Sequence, residues 1–380
     1  MMLLSTLLVA FLLGEMLVRL SGHFDKDGNF FVGSFQGYPY RVPLHSWEKK
    51  IDEYREIKNG CVIYDPFLGW APRPKSRSKS GFYLQNGDAI RTESCDSVVS
   101  KIPGAGVLRI AIFGDSFARG DDVPFKDTWG HLLENNLKKA GINAEVLNFA
   151  MGAYGTDQSF LRWRREGYAF ESRMVILGLP LENINRNVNL ARQFYFRNAG
   201  MPFLKPRFIL EQNELKLINA PTPTPDKVMD IVRHFDDWEY SKYEYWYDKD
   251  KYQDGVFLNS KLISFCYSFI KEKRWKKRRA DKKDLEALGL AIISRFKKEV
   301  EAQGKEFYVL FLPSRENLDS KEASFLKRVE GVARVVNPQD RLLEEAQRMG
   351  LQDLIPYHYS AKANEIVAGV LTDFILKRNQ

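Results

Sequence analysis

Ser116 and His358 are the two residues of this chain whose type and surroundings best fit nucleophilic chemistry. Ser116 lies in the segment F-G-D-S-F, directly after a short apolar run that is typical of a buried strand. A serine at such a strand-to-helix turn can expose its hydroxyl, and its backbone N–H then faces the same space. The chain has only five histidines, and His358 precedes the last apolar segment. A hydroxyl with an imidazole base is a minimal apparatus for attacking an acyl carbon.

Two loops between these residues offer further hydrogen-bond donors. Gly152 follows a second apolar run, and a residue without a side chain allows its N–H to approach a ligand closely. Asn183 follows a third apolar run, in the segment E-N-I-N-R-N, and contributes an amide side chain. Reactive groups in an open α/β sheet gather at the carboxyl ends of the strands. We therefore expect Ser116, Gly152 and Asn183 to converge there.

The alternation of apolar runs with amphipathic segments predicts the elements that position these residues. Strands are expected at residues 107–113, 145–149, 174–179, 306–312 and 333–336, and helices at 128–140, 158–167, 284–302, 320–329, 338–349 and 360–376. This order is typical of an α/β protein, a three-layer α/β/α sandwich with a mostly parallel sheet. The G-x-S-x-G elbow of α/β-hydrolases is absent, because Ala118 replaces its second glycine.

Taken in order, these motifs resemble the SGNH, or GDSL-type, hydrolase family. The matching blocks are F-G-D-S-F continued by A-R-G-D-D-V-P-F-K-D-T-W, then N-F-A-M-G-A-Y-G-T-D-Q, E-N-I-N-R-N-V-N and H-Y-S-A-K-A-N. The resemblance covers roughly residues 107–190 and 305–376 and implies a flavodoxin-like sheet. It also implies a serine esterase in which Ser116 attacks an ester and His358 is the general base. The oxyanion hole would be formed by Ser116, Gly152 and Asn183.

The sequence departs from the family pattern beside the histidine. The family's aspartate lies three residues before it, where this chain has Ile355. Asp353 can reach the imidazole if Pro356 bends the loop, which gives a Ser-His-Asp triad. Otherwise His358 is oriented by a backbone carbonyl and the site is a Ser-His dyad. Both interpretations stay open at this point. Asp115 is expected to bond the backbone of its own turn.

The N-terminus predicts attachment to a membrane. Residues 1–20 are almost wholly apolar and are interpreted as an uncleaved signal anchor or transmembrane segment. The protein is then exported and membrane-anchored, in a bacterial periplasm or on a cell surface. The alternative is a core helix of a cytoplasmic protein. Among the three cysteines, a Cys61–Cys95 disulfide and three free thiols remain equal alternatives.

The rest of the chain divides around the predicted hydrolase domain, which comprises residues 106–190 and 300–380. Residues 21–105 form an N-terminal extension, and residues 191–299 an insertion. Within the insertion, the basic run Lys271 to Lys283 is interpreted as a solvated helix face. The aromatic cluster between Trp238 and Tyr247 is interpreted as packing against a core, with stacking on sugar rings as the alternative. No nucleic-acid module, metal motif or cofactor motif is recognised, so we expect no nucleic-acid partner, metal or cofactor.

These observations favour a serine-dependent esterase that acts on an acylated small molecule or polysaccharide, such as an O-acetylated polymer of the cell envelope. Two alternatives remain. A polysaccharide O-acetyltransferase would use the same acyl-serine, and a catalytically inactive exopolysaccharide assembly or binding factor would fit the missing aspartate and contact envelope assembly partners.

Overall fold

The structure is a computed structural model that describes residues 2–56, 60–197, 199–279, 283–319 and 323–378. Two compact units make up the chain. The first comprises Met1–Glu56, Asn189–Leu204 and Pro223–Asp284, and the second comprises Ile57–Val188, Lys205–Thr222 and Leu285–Gln380. The second unit contains all the candidate site residues.

A five-stranded parallel sheet forms the centre of the second unit. Its strands are β1 (Leu108–Phe113), β2 (Ala144–Asn148), β3 (Met174–Leu179), β4 (Glu306–Phe311) and β5 (Arg334–Val336). They lie in the order β2-β1-β3-β4-β5, and every pairing is parallel. The chain order therefore reverses next to β1, which is the position where open α/β sheets bind ligands. The predicted three-layer α/β/α fold is confirmed.

Both faces of this sheet are covered, which explains why its strands read as continuous apolar runs. On one face Ile112 and Ile176 belong to a buried cluster with Trp129 and Leu133. On the other face an aromatic layer begins with Phe113, whose ring lies 5.0 Å from that of Phe149, between centroids. Alternate residues of β1 thus point to opposite layers.

The helices of the second unit surround the sheet. They are Ser116–Arg119, Trp129–Lys139, Thr156–Arg165, Asn183–Arg186, Lys283–Glu301, Ala323–Glu330, Gln339–Met349, Leu351–Leu354 and Ala361–Arg378. Three antiparallel hairpins accompany them, namely Val62–Asp65 with Gly69–Pro72, Ser76–Arg77 with Leu84–Gln85, and Arg207–Glu211 with Glu214–Ile218. Residues 60–105, whose role the sequence does not indicate, are therefore part of the unit that carries the sheet.

The first unit is mainly helical. Its helices are Met2–Ser21, Leu44–Glu56, Arg192–Tyr195, Pro225–Arg233 and Lys261–Arg279, and its three short antiparallel strands are Gly22–Phe24, Phe30–Val32 and Phe35–Gln36. The helix Met2–Ser21 is long and apolar enough to span a membrane, and none of its residues is buried. A small core gathers around Trp47, Val228 and Val232. Trp238 packs against this core.

Candidate active site

The turn that carries Ser116 is tightly constrained by the sheet beneath it. Gly114 follows β1 with φ of 151°, and a Cβ added there would lie 2.5 Å from Ala118 Cβ and 2.8 Å from Gly178 O. Glycine alone fits this close approach. The chain then enters the short helix Ser116–Arg119, so that Ser116 begins the helix at the carboxyl end of β1.

Asp115 fixes this turn rather than taking part in proton transfer. Its carboxylate accepts a hydrogen bond from the Phe117 N–H at 3.0 Å and caps the short helix. A second carboxylate oxygen lies 2.7 Å from Arg186 Nη1, and both side chains are almost fully buried. Arg186 ends the helix Asn183–Arg186. The Ser116 turn is thereby tied to the segment that contains Asn183.

His358 lies beside the Ser116 helix and is oriented by a carboxylate. Its Nδ1 is 2.6 Å from Asp122 Oδ2. A carboxylate only accepts hydrogen bonds, so Nδ1 carries a proton and Nε2 keeps a lone pair as a base in the neutral ring. The ring also makes edge contacts with Phe117 and Tyr357, at centroid distances of 5.2 Å and 4.7 Å. Phe117 directly follows Ser116 in the chain.

The carboxylate at the imidazole is Asp122, whereas the sequence pointed to Asp353. Asp353 lies in the four-residue helix Leu351–Leu354, where it is exposed. Among the described residues it forms no hydrogen bond to His358. Tyr359, which directly follows His358, anchors the histidine's segment through its hydroxyl, which donates to Pro313 O at 2.9 Å. The structure therefore does not bring Asp353 to the histidine, and it supplies a different orienting carboxylate.

Asp122 is itself held in place by Tyr83. The Asp122 N–H donates to the Tyr83 hydroxyl at 3.1 Å, and the hydroxyl donates back to Asp122 Oδ1 at 3.3 Å. Asp122 has φ of 67°, a left-handed conformation that aspartate tolerates better than most residues. The Arg119 guanidinium lies 4.6 Å from the centroid of the Tyr83 ring. A residue far upstream thus supports the carboxylate that supports His358.

Three donor groups of the predicted site have no hydrogen-bond acceptor among the described residues. They are the backbone N–H of Ser116, the backbone N–H of Gly152 and the side-chain amide of Asn183. Asn183 is fully buried, and both its Nδ2 and Oδ1 are unpaired. Unsatisfied buried polar groups are uncommon and costly, so unused donors of this kind are typical of a site that awaits an anionic partner.

Contacts from several elements hold the Gly152 loop. The Trp70 indole N–H donates to Gly152 O at 3.2 Å, and the Tyr154 hydroxyl donates to Trp70 O at 2.7 Å. A Cβ added at Gly152 would lie 3.0 Å from Arg119 Nη2. The loop is thus packed so closely against the Ser116 helix that glycine is favoured at this position. Asn148, at the end of β2, donates to Ala118 O at 3.1 Å and joins the same two elements.

Residues 60–105 contribute a second support through Arg91. Its guanidinium donates to three backbone carbonyls of the segment after Ser116, those of Arg119, Gly120 and Val123. The contact with Val123 O is 2.8 Å long. Burial, with Arg119 nearby, lowers the pKa of Arg91 to about 10, and the group stays charged at neutral pH. Arg91 therefore holds the segment Arg119–Val123, which includes Asp122, in place.

The contacts of Asp157 stabilise the fold. Its carboxylate pairs with the buried Lys205 ammonium, and its backbone N–H donates to Asn187 Oδ1 at 3.2 Å. The three cysteines are free thiols, and Cys95 Sγ donates to Ser76 O at 3.2 Å. These groups lie outside the cluster formed by Ser116, Asp122 and His358.

The Ser116 hydroxyl forms no hydrogen bond to any described residue, His358 included. Such catalytic contacts are often long in unliganded sites and shorten when a substrate binds. Ser116 is 8% exposed, so its surroundings are largely desolvated. The structure therefore places an oriented imidazole against Phe117, which follows Ser116, and leaves unused donors in the segments that follow β2 and β3.

Comparison with protein-family models gives no match, and comparison with curated proteins gives none either. Solved structures with a similar fold are esterases and lipolytic proteins. A protein assigned to the lipolytic G-D-S-L family from Desulfitobacterium hafniense DCB-2 aligns over 70% of this chain and 98% of its own, with 10% identity and a TM-score of 0.34. The acetyl xylan esterase AlAXEase aligns over 70% and 99%, with 10% identity and a TM-score of 0.37.

A third structure, TesA, aligns over 69% of this chain and 95% of its own, with 10% identity and a TM-score of 0.37. At these TM-scores the similarities carry no argument about activity. The function of this chain is therefore argued from its own residues.

Asp122, Tyr83, Arg91 and Trp70 are the supporting residues that the sequence did not identify. One signal for Asp122 was present, because the first block continues with two adjacent aspartates while the position three before His358 holds Ile355. The family's carboxylate is missing beside His358, and an additional carboxylate is present in the block that contains Ser116. Together these two features indicate that Asp122 takes the place of the missing carboxylate. Tyr83, Arg91 and Trp70 carry no comparable local signal.

Proposed function

We propose that this protein is a serine esterase in which Ser116, His358 and Asp122 form the catalytic triad. The observation that carries the proposal is the 2.6 Å contact between His358 Nδ1 and Asp122, because it leaves Nε2 as the free base. His358 Nε2 accepts the Ser116 proton as Oγ attacks the ester carbonyl. The resulting imidazolium is stabilised by Asp122 and then protonates the leaving alcohol. Water, deprotonated by His358, hydrolyses the acyl-serine.

The tetrahedral intermediates carry a negative charge on the former carbonyl oxygen. Three donors are available for it, namely the N–H groups of Ser116 and Gly152 and the Asn183 amide. One such donor contributes about 3 kcal/mol to lowering the barrier. The Gly152 N–H and the Asn183 amide would add to the contribution of the Ser116 N–H in a largely desolvated site, and this supports the proposal of ester hydrolysis.

We further propose that the substrate is an O-acylated carbohydrate or envelope polymer and that the helix Met2–Ser21 anchors the protein in a membrane. The anchor is supported by the length and apolar character of this helix and by the absence of any buried residue within it. The proposal of a polymer substrate is supported by the predicted export of the chain.

Replacement of Ser116 by alanine tests the enzyme proposal. We expect kcat/KM for p-nitrophenyl acetate to fall at least about 10³-fold, because the nucleophile is removed while the oxyanion donors remain. Ser100→Ala, at an exposed serine of the same unit, is the matched control and should leave turnover unchanged. A burst of one p-nitrophenol per chain without turnover would favour the O-acetyltransferase. Equal activity of Ser116→Ala and wild type would favour the inactive binding factor.

A further inference from the structure

Besides Phe196 and Tyr267, five large apolar side chains of the first unit are exposed outside the helix Met2–Ser21. They are Phe24, Val256, Phe257, Phe269 and Ile270, with exposed fractions of 57%, 83%, 79%, 63% and 53%. We call these residues the apolar belt. Exposed apolar surface of this kind marks a site that is covered by a partner or a membrane. The position of the apolar belt within the first unit indicates whether a partner or a membrane covers it.

The belt residues lie in segments that meet the membrane-spanning candidate near its C-terminal end. The Glu15 carboxylate accepts hydrogen bonds from Ser260 Oγ at 2.7 Å, Lys261 N at 2.9 Å and Leu262 N at 2.8 Å. Glu15 thereby caps the helix Lys261–Arg279. Arg19 pairs with Glu15 at 2.6 Å and also donates to Asn259 O at 3.0 Å.

Glu15 makes these contacts close to the C-terminal end of the helix Met2–Ser21, and therefore close to one surface of a membrane that the helix would span. Twenty residues at about 1.5 Å per residue span about 30 Å, which is the thickness of the hydrocarbon core. Glu15 is six residues before Ser21, so its cap lies about 9 Å from the end of the helix. A charged group at this depth needs partners, and the start of the helix Lys261–Arg279 supplies them.

The helix Lys261–Arg279 has one face on its own unit and one face outward. Ser268 Oγ accepts a hydrogen bond from Tyr38 N at 2.7 Å, and Phe265 makes an edge contact with Phe35 at 5.1 Å. The exposed residues Cys266, Phe269, Ile270 and Lys273 recur at helical spacing on the outward face. An apolar stripe bordered by lysine is typical of a helix that lies in a membrane interface.

The charge of this region selects the kind of lipid. The run Lys271 to Lys283 contains nine basic and two acidic residues. Of its basic side chains, those of Lys271 and Lys273 lie within the described part of the structure, and Lys273 is exposed. Basic residues near an anionic membrane surface are attracted to it. This excess of positive charge favours a bilayer rich in anionic lipid.

We propose that the apolar belt and the first turns of the helix Lys261–Arg279 bind the headgroup region of the same anionic bilayer that the helix Met2–Ser21 enters. This inference rests on the proposed membrane anchor and not on the esterase chemistry. The occupant of the belt is lipid, because the belt is continuous with the only helix in the described residues that is apolar enough to span a membrane.

A nitroxide spin label on Cys266 tests the proposal in the full chain. Cys61 and Cys95 are replaced by serine, and the protein is reconstituted into vesicles of phosphatidylglycerol and phosphatidylcholine. The label should be several-fold more accessible to oxygen than to a water-soluble nickel complex. A label at Lys227→Cys in a Cys266→Ser background, on the exposed surface of the helix Pro225–Arg233, is the control and should show the reverse.

Two comparisons sharpen the result. Phe269→Glu with Ile270→Glu should make the Cys266 label water-accessible, and vesicles of phosphatidylcholine alone should weaken the oxygen preference. A water-exposed label on a chain that still floats with the vesicles would overturn this proposal alone. Loss of flotation would overturn the anchor and this proposal together. Spin–spin broadening that shows a second copy over the belt would also overturn it. Ester hydrolysis is measured on the same samples, so its failure is distinguishable.

Discussion

At the scale of single residues, the site depends on which ring nitrogen of His358 carries the proton. Asp122 holds the proton on Nδ1, so Nε2 is free to act as the base in the proposed triad. Asp122 is about half exposed, and an exposed ion pair contributes little to stability. Its contribution is therefore orientation of the ring, which Tyr83 reinforces by contacting the same carboxylate.

Replacement of Asp122 by asparagine should lower kcat by about 10²- to 10⁴-fold. The asparagine amide can donate to Nδ1, which stabilises the tautomer that has its proton on Nε2 and cannot act as a base. Steady-state hydrolysis of p-nitrophenyl acetate measures the effect. Asp353→Asn is the matched control, and its rate should stay within about twofold of wild type because Asp353 is exposed and apart from the ring. The opposite ranking of the two variants would restore Asp353 as the orienting group.

At the scale of elements, the Ser116 turn depends on the close contact between its backbone and β3. Gly114→Ala should destabilise the protein by about 2–4 kcal/mol, because the new Cβ meets both Ala118 and a β3 carbonyl in a strained conformation. Urea unfolding measures the change. Gly104→Ala meets only Val107 Cγ2 at 3.5 Å and should shift stability by less than about 0.5 kcal/mol. Similar losses in both variants would contradict a specific constraint at Gly114.

The helix Thr156–Arg165 is joined to the extension by a charged cluster. Arg165 lies 2.6 Å from Asp65, and Arg162 lies 2.7 Å from Glu166. Burial alone would raise the pKa of Glu166, but Arg162 and Arg165 outweigh it and lower this pKa below 4.5. A carboxylate with a lowered pKa stabilises the folded state above its ordinary pKa. That contribution is lost as the pH falls through the lowered value.

Glu166→Gln should therefore reduce the free energy of unfolding at pH 7 by about 1–3 kcal/mol, because the buried Arg162 and the more exposed Arg165 lose a partner. The difference from wild type should shrink below pH 4.5 as wild-type Glu166 is protonated. Thermal unfolding at several pH values measures both effects. Glu330→Gln, at an exposed glutamate, should show neither. A loss that stays constant down to pH 3 would indicate packing rather than charge.

At the scale of the whole molecule, the helix Met2–Ser21 should remain on the mature protein. We expect the chain extracted from membranes to keep these residues by intact mass and to resist release by sodium carbonate. Leu8→Arg with Leu12→Arg should abolish that resistance, because each charge at the middle of a span costs about 2.5–3.5 kcal/mol. Replacement of the exposed Lys49 and Lys227 by arginine is the control. A mature chain that begins near Gly22 would identify the segment as a cleaved signal.

The sequence by itself determined the features that depend on local patterns. Burial on both faces makes a parallel strand uniformly apolar, so β1, β2, β3 and β4 were visible as runs of residues. The strand-to-helix turn at Ser116 and the position of the donors Gly152 and Asn183 after successive strands follow from the same periodicity.

Tertiary structure alone decided which carboxylate meets His358. Asp122 and His358 are 236 residues apart, whereas Asp353 is a near neighbour in sequence. Their meeting depends on the packing of Phe117 against His358 and on a backbone conformation of Asp122 that no periodic pattern encodes. The same holds for Tyr83 and Arg91, because a contact between distant segments is selected by the fit of the whole unit and not by the spacing of neighbouring residues.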